Sequence, residues 1–229
     1  SRLMWTPHTV IPVSKSAEEL HPSTHFMAYG LGWVLLDYQG HKVTMHGGGY
    51  DGMFSRVALV PEENLGMVIL TNAMTSIQTA LAYKILDSYL GGEEKDWSNI
   101  YLKRAEDGKK RAAERRAKTE KARTPNTRPS LPHEAYTGRY GGPMYGDATV
   151  KLQNGLLVVQ FEPAPDLVGD LSHWHFDTFE IKWRKEFSWF GDGKVQFLLD
   201  QNGKVVEMKI DVPNEDFWFT ELEFKKKDD

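Results

Sequence analysis

The residues best suited to chemistry stand together in Thr44-Met45-His46-Gly47-Gly48-Gly49-Tyr50-Asp51-Gly52. Histidine can bond a ligand and titrates near neutral pH. The three glycines behind it surrender more backbone freedom on folding than any other residue type. In a strand or at its end, glycine marks a place where a ligand or a second backbone comes close. Extended runs flank the stretch: Leu31–Leu36 followed by Lys42–Met45 leads into it and Phe54–Val60 leaves it. Two readings follow: a bare strand beside a ligand, or a glycine-rich turn with an incidental histidine. A second constellation is His173, His175 and Asp177. Alternate positions of a strand share a face, but the apolar parity breaks between Phe176 and Phe179, which predicts a turn there and no metal site.

The whole chain narrows the classes. It has 229 residues, a formal net charge of -4 and no cysteine, so disulfides and thiolate metal sites are out and a general nucleic-acid binder is disfavoured. No apolar run reaches the length of a membrane span. The opening Ser1-Arg2-Leu3-Met4-Trp5-Thr6-Pro7 resembles neither a signal peptide nor a natural start, and the expectation is a chain entered midway.

The elements that must position His46 follow from pattern. Residues 1–28 read as loop with one short turn near Ser16–Leu20, because Pro7, Pro12 and Pro22 interrupt any helix. Leu31–Leu36, Lys42–Met45, Arg56–Val60 and Gly66–Thr71 read as four strands of an antiparallel meander. Its turns are placed at Tyr38-Gln39-Gly40, at the glycine run itself and at Pro61–Asn64. A helix follows, with Thr75 and Gln78 as a capping box, an apolar face of Ile77, Leu81, Ile85 and Tyr89 beside Ala82 and Leu86, and Gly91-Gly92 as its end. The strands at Leu31–Leu36, Val57–Val60 and Met67–Leu70 are apolar on consecutive positions, as expected when both faces of a sheet are covered. One helix covers one face.

From Glu93 to Arg123 charge dominates, and pairs such as Glu106 with Lys110 and Glu114 with Lys118 support a solvated helix. Thr124–Ser130 breaks it and marks a domain boundary. The remainder is all-β: Asn154-Gly155 and Asn202-Gly203 are hairpin signals, Phe179, Ile181 and Trp183 alternate with polar residues, and so do Val206, Met208 and Ile210. Its aromatics, Trp174, Phe176, Phe179, Trp183, Trp189, Phe197, Phe217, Trp218 and Phe219, fit a core better than a ligand cavity. The fold class is therefore α+β. Antiparallel strands and a closing helix fill 1–92, a charged helical linker fills 93–130, and an all-β barrel of about eight strands fills 131–229.

Four stretches, Tyr29-Gly30-Leu31-Gly32-Trp33, His46-Gly47-Gly48, Val57-Ala58-Leu59-Val60-Pro61 and Leu70-Thr71-Asn72, carry a resemblance. Over 1–92 the chain resembles the C-terminal part of the serine β-lactamase and penicillin-binding-protein-like hydrolases, in the class C β-lactamase and D-alanyl-D-alanine carboxypeptidase-like branch. From Tyr136-Thr137-Gly138-Arg139-Tyr140 onward it resembles the lipocalin-like β-barrel accessory domain that often follows. The resemblance implies a site built from S-x-x-K, Y-x-N and K-T-G or H-x-G. Only the last is matched: His46 stands at the cation, Gly47 and Gly48 follow, and the Gly49 N–H would be one oxyanion-hole donor. His46 and Gly49 are thus the implied catalytic residues, and Gly47, Gly48 and Tyr50 the substrate-binding ones. No serine or threonine has a lysine three positions on, so the chain alone is expected to be inactive. The resemblance further implies no cofactor, an extracytoplasmic location and a small-molecule or peptide substrate. A histidine in place of lysine holds a carboxylate less firmly, and lactamase, D-amino-acid peptidase and esterase all stay open. The expected partner is the N-terminal portion of the same hydrolase domain, or a second copy, covering the bare sheet face. The alternative is a non-catalytic barrel module for a small apolar ligand, and a third reading has the basic linker binding an anionic polymer.

Overall fold

The computed structural model describes residues 2–214 and 218–228. Ser1, Glu215, Asp216, Phe217 and Asp229 lie outside the described residues, Phe217 being one of the aromatics named above. The fold is α+β, and the chain forms two compact units, residues 1–114 and 115–229.

The first unit holds a six-stranded antiparallel sheet in sequence order: β1 (Thr9–Ile11), β2 (Met27–Tyr29), β3 (Val34–Tyr38), β4 (His41–Tyr50), β5 (Met53–Val60) and β6 (Leu65–Thr71). The four expected strands are β3 to β6. The three-residue strands β1 and β2 are additions, too short to show a period. A one-and-a-half-turn helix, α1 (Lys15–Leu20), lies between them, its first turn capped by the Ser14 hydroxyl. Two boundaries depart from expectation. Leu31 is outside any strand, because the chain turns at Gly32, where φ is +77°. The glycine run is not a turn: β4 stays extended through Gly47, Gly48 and Gly49, and the reversal comes at Asp51-Gly52, where Gly52 has φ +87°.

Register sorts the sheet into two sets of rows. Met45, Ala58 and Met67 stand opposite one another and are buried with Ala82, Tyr83 and Leu86 of α2 (Ile77–Leu90). The alternate row runs His46, Val57, Val68, with Ser55 opposite Leu70 beside it. Val68 and Leu70 are 68% and 76% exposed. Both faces of β5 and β6 are apolar, and α2 covers one of them.

Helix α2 corrects two further expectations. The capping box does not form: Ser76 precedes the first turn without a side-chain bond, Thr75 Oγ1 receives only a 3.5 Å contact from the Ile77 N–H, and Gln78 is buried. The buried face is Gln78, Ala80, Ala82, Tyr83, Leu86 and Asp87; of the expected face Ala82 and Leu86 are buried and Ile85 packs against the core, whereas Ile77, Leu81 and Tyr89 are exposed. The phase is set by a polar network. Asp87 accepts hydrogen bonds from the Tyr38 hydroxyl at 2.5 Å and the Trp97 indole N–H at 2.6 Å. His21 stacks on Tyr83 at 4.1 Å and on Trp97 at 5.2 Å between ring centres. Burial, then the cations of Lys95 and Arg104, push the His21 imidazole down to about 4, against an opposing pull from Asp87. Gly91, at φ +71°, ends the helix as expected.

Helix α3 (Trp97–Lys121) runs across the boundary between the units and is buried only at Trp97. No helix among the described residues is long and apolar enough to cross a membrane. In the second unit the stretch after α3 is fastened rather than loose. Arg123 Nε donates to the Trp174 carbonyl at 2.8 Å, the Phe176 N–H donates to Thr127 Oγ1 at 3.0 Å, and the Ser130 N–H and hydroxyl both donate to Asp177.

The barrel is a closed meander: β7 (Gly138–Gly142), β8 (Gly146–Gln153), β9 (Leu156–Phe161), β10 (Ala164–His175), β11 (Thr178–Trp183), β12 (Gly193–Leu199), β13 (Val205–Asp211) and β14 (Lys225–Lys226), with β14 pairing back onto β7. The β8–β9 turn has Asn154 at φ 51° and Gly155 at φ +81°, the left-handed pair that a two-residue hairpin requires. The register between β12 and β13 shifts between Leu198 and Leu199, so Val205 is the buried residue and Val206 is exposed, opposite to the simple alternation.

Candidate functional site

Strand β4 is longer than the neighbour on its β3 side. The last β3–β4 pair is Val34 with Met45, yet β4 continues against β5 with His46 opposite Val57, Gly47 opposite Arg56, Gly48 opposite Ser55, Gly49 opposite Phe54 and Tyr50 opposite Met53. His46 to Tyr50 therefore form a strand with one ladder edge free among the described residues, and all five are exposed. An extended acyl compound can lie along such an edge and bond its backbone.

The turn between β2 and β3 is tied back onto the N-terminal segment. The Gly30 N–H donates to the Trp33 carbonyl at 2.8 Å and the Leu31 N–H to the Met4 carbonyl at 3.0 Å. A Cβ on Gly30 would collide with the Met4 carbonyl, so glycine is required there. Trp33 meets Trp5 edge to face at 6.2 Å. From the end of β2 the Tyr29 hydroxyl reaches His46 Nε2 at 2.9 Å. Sequence reasoning missed this partnership. Tyr29 belonged to a stretch already singled out, but only the register of three strands brings it to a residue 17 positions away.

None of the run's glycines sits at positive φ, so backbone conformation does not demand them. A Cβ on Gly47 would meet nothing closer than Arg56 Nη2 at 3.6 Å and the Ser55 carbonyl at 3.7 Å, ordinary contact distances. At Gly48 it would press on Ser55 Oγ at 2.8 Å, the far end of a short movable side chain. Arg56 belongs to the row that α2 covers, with Nη1 at 3.5 Å from Met45 Sδ.

In the barrel, β10 ends at His175 and turns through Phe176, as the broken parity predicts. His173 Nε2 bonds the Phe176 carbonyl, His175 Nδ1 accepts from the Thr124 N–H, and Asp177 takes bonds from Ser130 and Tyr136. Each is spent on a local tie, and no group of three metal-ligating side chains gathers among the described residues. The lumen is filled by side chains in mutual contact: Phe197 lies 5.0 Å from Tyr136, 5.7 Å from Phe179 and 5.8 Å from Tyr140 between ring centres. A ligand inside would have to displace a packed core.

Comparison with known proteins matches residues 122–226 to the family model described as "Domain of unknown function (DUF3471)". Over 157 residues the chain is 32% identical to unguisins hydrolase ungD' of Aspergillus campestris (strain IBT 28561), covering 64% of this chain and 28% of that protein. It is 33% identical over 128 residues to unguisins hydrolase ungD of Aspergillus violaceofuscus (strain CBS 115571), covering 52% and 23%. The chain thus spans about a quarter of the length of the curated relatives it matches. Among solved structures it is similar to the octameric penicillin-binding protein homologue from Pyrococcus abyssi, at TM-score 0.37 and 16% identity over 98% of this chain and 41% of that one. It is also similar to the C-terminal domain of penicillin binding protein Rv0907, at TM-score 0.33 and 30% identity over 39% and 82%.

Proposed function

We propose that the first unit is one wall of the active site of a serine acyl hydrolase of the β-lactamase and penicillin-binding-protein-like kind, and that the second is its accessory barrel. The observation that carries this reading is the free end of β4: five exposed strand residues, glycines that neither φ nor packing at Gly47 explains, and a histidine held at the start by Tyr29. The similarity to proteins named as hydrolases agrees with it. In this reading a substrate lies along His46–Tyr50, with Gly47 and Gly48 allowing close approach and Tyr50 bordering the acyl group. The Gly49 N–H faces the carbonyl oxygen and pairs with the N–H of a serine supplied by a companion polypeptide, a donor of the kind worth about 3 kcal/mol of barrier lowering. The same polypeptide supplies the lysine and tyrosine that move the protons, and it covers Val57, Val68 and Leu70. The narrower class C assignment and an extracytoplasmic site of action rest on the motif residues alone.

The test is reconstitution. The chain alone should leave a chromogenic β-lactam and p-nitrophenyl esters untouched, and should gain activity when mixed with the N-terminal hydrolase polypeptide. Turnover by the chain alone overturns the proposal. So does a sizing experiment in which the two polypeptides ignore each other.

A further inference from the structure

The geometry points to Tyr29 as the residue that fixes which nitrogen of His46 carries the proton, so that His46 offers a neutral Nδ1–H to the cleft. This deepens the hydrolase reading and rests on it for its consequence, though not for its first test. The Tyr29 hydroxyl and His46 Nε2 lie 2.9 Å apart, and the rings meet edge to face with centres 6.1 Å apart. In a neutral imidazole one nitrogen donates and the other accepts, and the tautomer follows the bond made by the other atom. A phenol is a good donor and, with its lone pair drawn into the ring, a poor acceptor. Pairing with imidazole therefore favours O–H donating to an unprotonated Nε2. No other bond of the Tyr29 hydroxyl competes among the described residues. The proton is then left on Nδ1. Among the described residues that atom has no partner, on a residue exposed at the free edge of β4.

The consequence is a substrate class. A neutral N–H matches a carbonyl or ester oxygen, whereas a carboxylate is better matched by a cation. The cation next along the ladder, Arg56, belongs to the α2-facing row. The group that His46 meets is accordingly an uncharged amide or ester oxygen, and the substrate is an acyl compound that needs no free carboxylate at this position. Tyr29 acts through His46 and is a positioning residue.

The nitrogen resonances of the His46 ring report the tautomer directly, in this chain and without substrate. At pH 8, Nδ1 should be protonated and Nε2 bare. In Tyr29→Phe, which keeps the ring and removes the hydroxyl, the ratio should move toward Nε2–H by about fivefold, the worth of one neutral hydrogen bond. A wild-type ring protonated mainly on Nε2 overturns the assignment by itself, even if the variant does not fold; an unchanged ratio in a folded variant does so too. With the companion polypeptide added, Tyr29→Phe should lower kcat/KM on an uncharged ester several-fold. A tenfold preference of the wild type for the carboxylate-bearing analogue would overturn the substrate class. If the reconstituted wild type is inert, the hydrolase reading falls while the tautomer result stands.

Discussion

In the barrel each strand from β7 to β14 has a neighbour on both sides, β14 closing onto β7, and the inward residues bury one another. In the first unit the sheet has open ends, β4 outruns β3, and the row with Val68 and Leu70 faces away from α2. Closure removes edges outright, whereas an open sheet with a bare apolar face invites a partner. The barrel closes its own edges, whereas the first unit's sheet leaves one edge of β4 unpaired and the Val68 and Leu70 row exposed among the described residues.

The strongest attempt to break this contrast is on the barrel. Phe197→Ala removes a ring packed against Tyr136, Tyr140 and Phe179 and should destabilise that unit by about 3–5 kcal/mol, read as a shifted urea midpoint. A change below about 1 kcal/mol would mean that the lumen can collapse or rearrange, and would reopen the ligand-binding alternative.

Acid should separate the two units next. His21 is depressed from 6.5 to about 4 in the folded unit. Its neutral form is favoured on folding, so the stability is fully present above pH 6.5 and is lost as pH falls toward 4. The gap is worth about 3 kcal/mol. In the barrel, burial pushes the Asp177 carboxyl up, but bonds from Tyr136 and Ser130 outweigh it and hold it below the ordinary carboxylate value of 3.8. Its contribution is therefore present above 3.8 and lost only below. Hydrogen exchange at pH 7 and pH 4.5 should show the first unit opening more readily at the lower pH while the barrel stays protected. His21→Phe, which keeps a ring to stack and removes the titration, should flatten the response.

A smaller effect concerns the network that sets α2. Asp87→Asn puts an amide where two donors, Tyr38 Oη and Trp97 Nε1, converge, and at most one can still be accepted well. The expected cost is about 1–3 kcal/mol, confined to the first unit, with tryptophan fluorescence shifted as Trp97 loses its partner.

These residues also show what was legible in the sequence. The meander, the Asn154-Gly155 hairpin and the alternation of Phe179 and Ile181 are local patterns, and each names its own structure. The face of α2 was legible at Ala82, Ile85 and Leu86 but not in its full phase, because Asp87 and Tyr83 count as polar until Tyr38, His21 and Trp97 arrive from elsewhere in the chain to satisfy or cover them. The glycine run was half legible: its composition flags a special place, but composition alone does not separate a tight turn from a bare strand. Tyr29 as the holder of His46 was invisible, since no spacing rule joins residues on strands that meet only through the register of β3 and β4.

The smallest expected change in stability sharpens the contrast most. Gly47→Ala adds a Cβ at ordinary distance from Arg56 and Ser55, in a strand conformation open to any residue. If the fold alone governed this position, alanine would be preferred, because it restricts the unfolded chain, and the variant should be equal to or more stable than the parent by up to about 1 kcal/mol. Glycine would then be present for what must approach β4, not for how β4 folds, and the reconstituted hydrolase should lose activity while its urea midpoint holds or rises. A clear loss of stability in Gly47→Ala would mean that the bare strand serves packing inside this unit, and the case for a cleft at His46 would lose its main support.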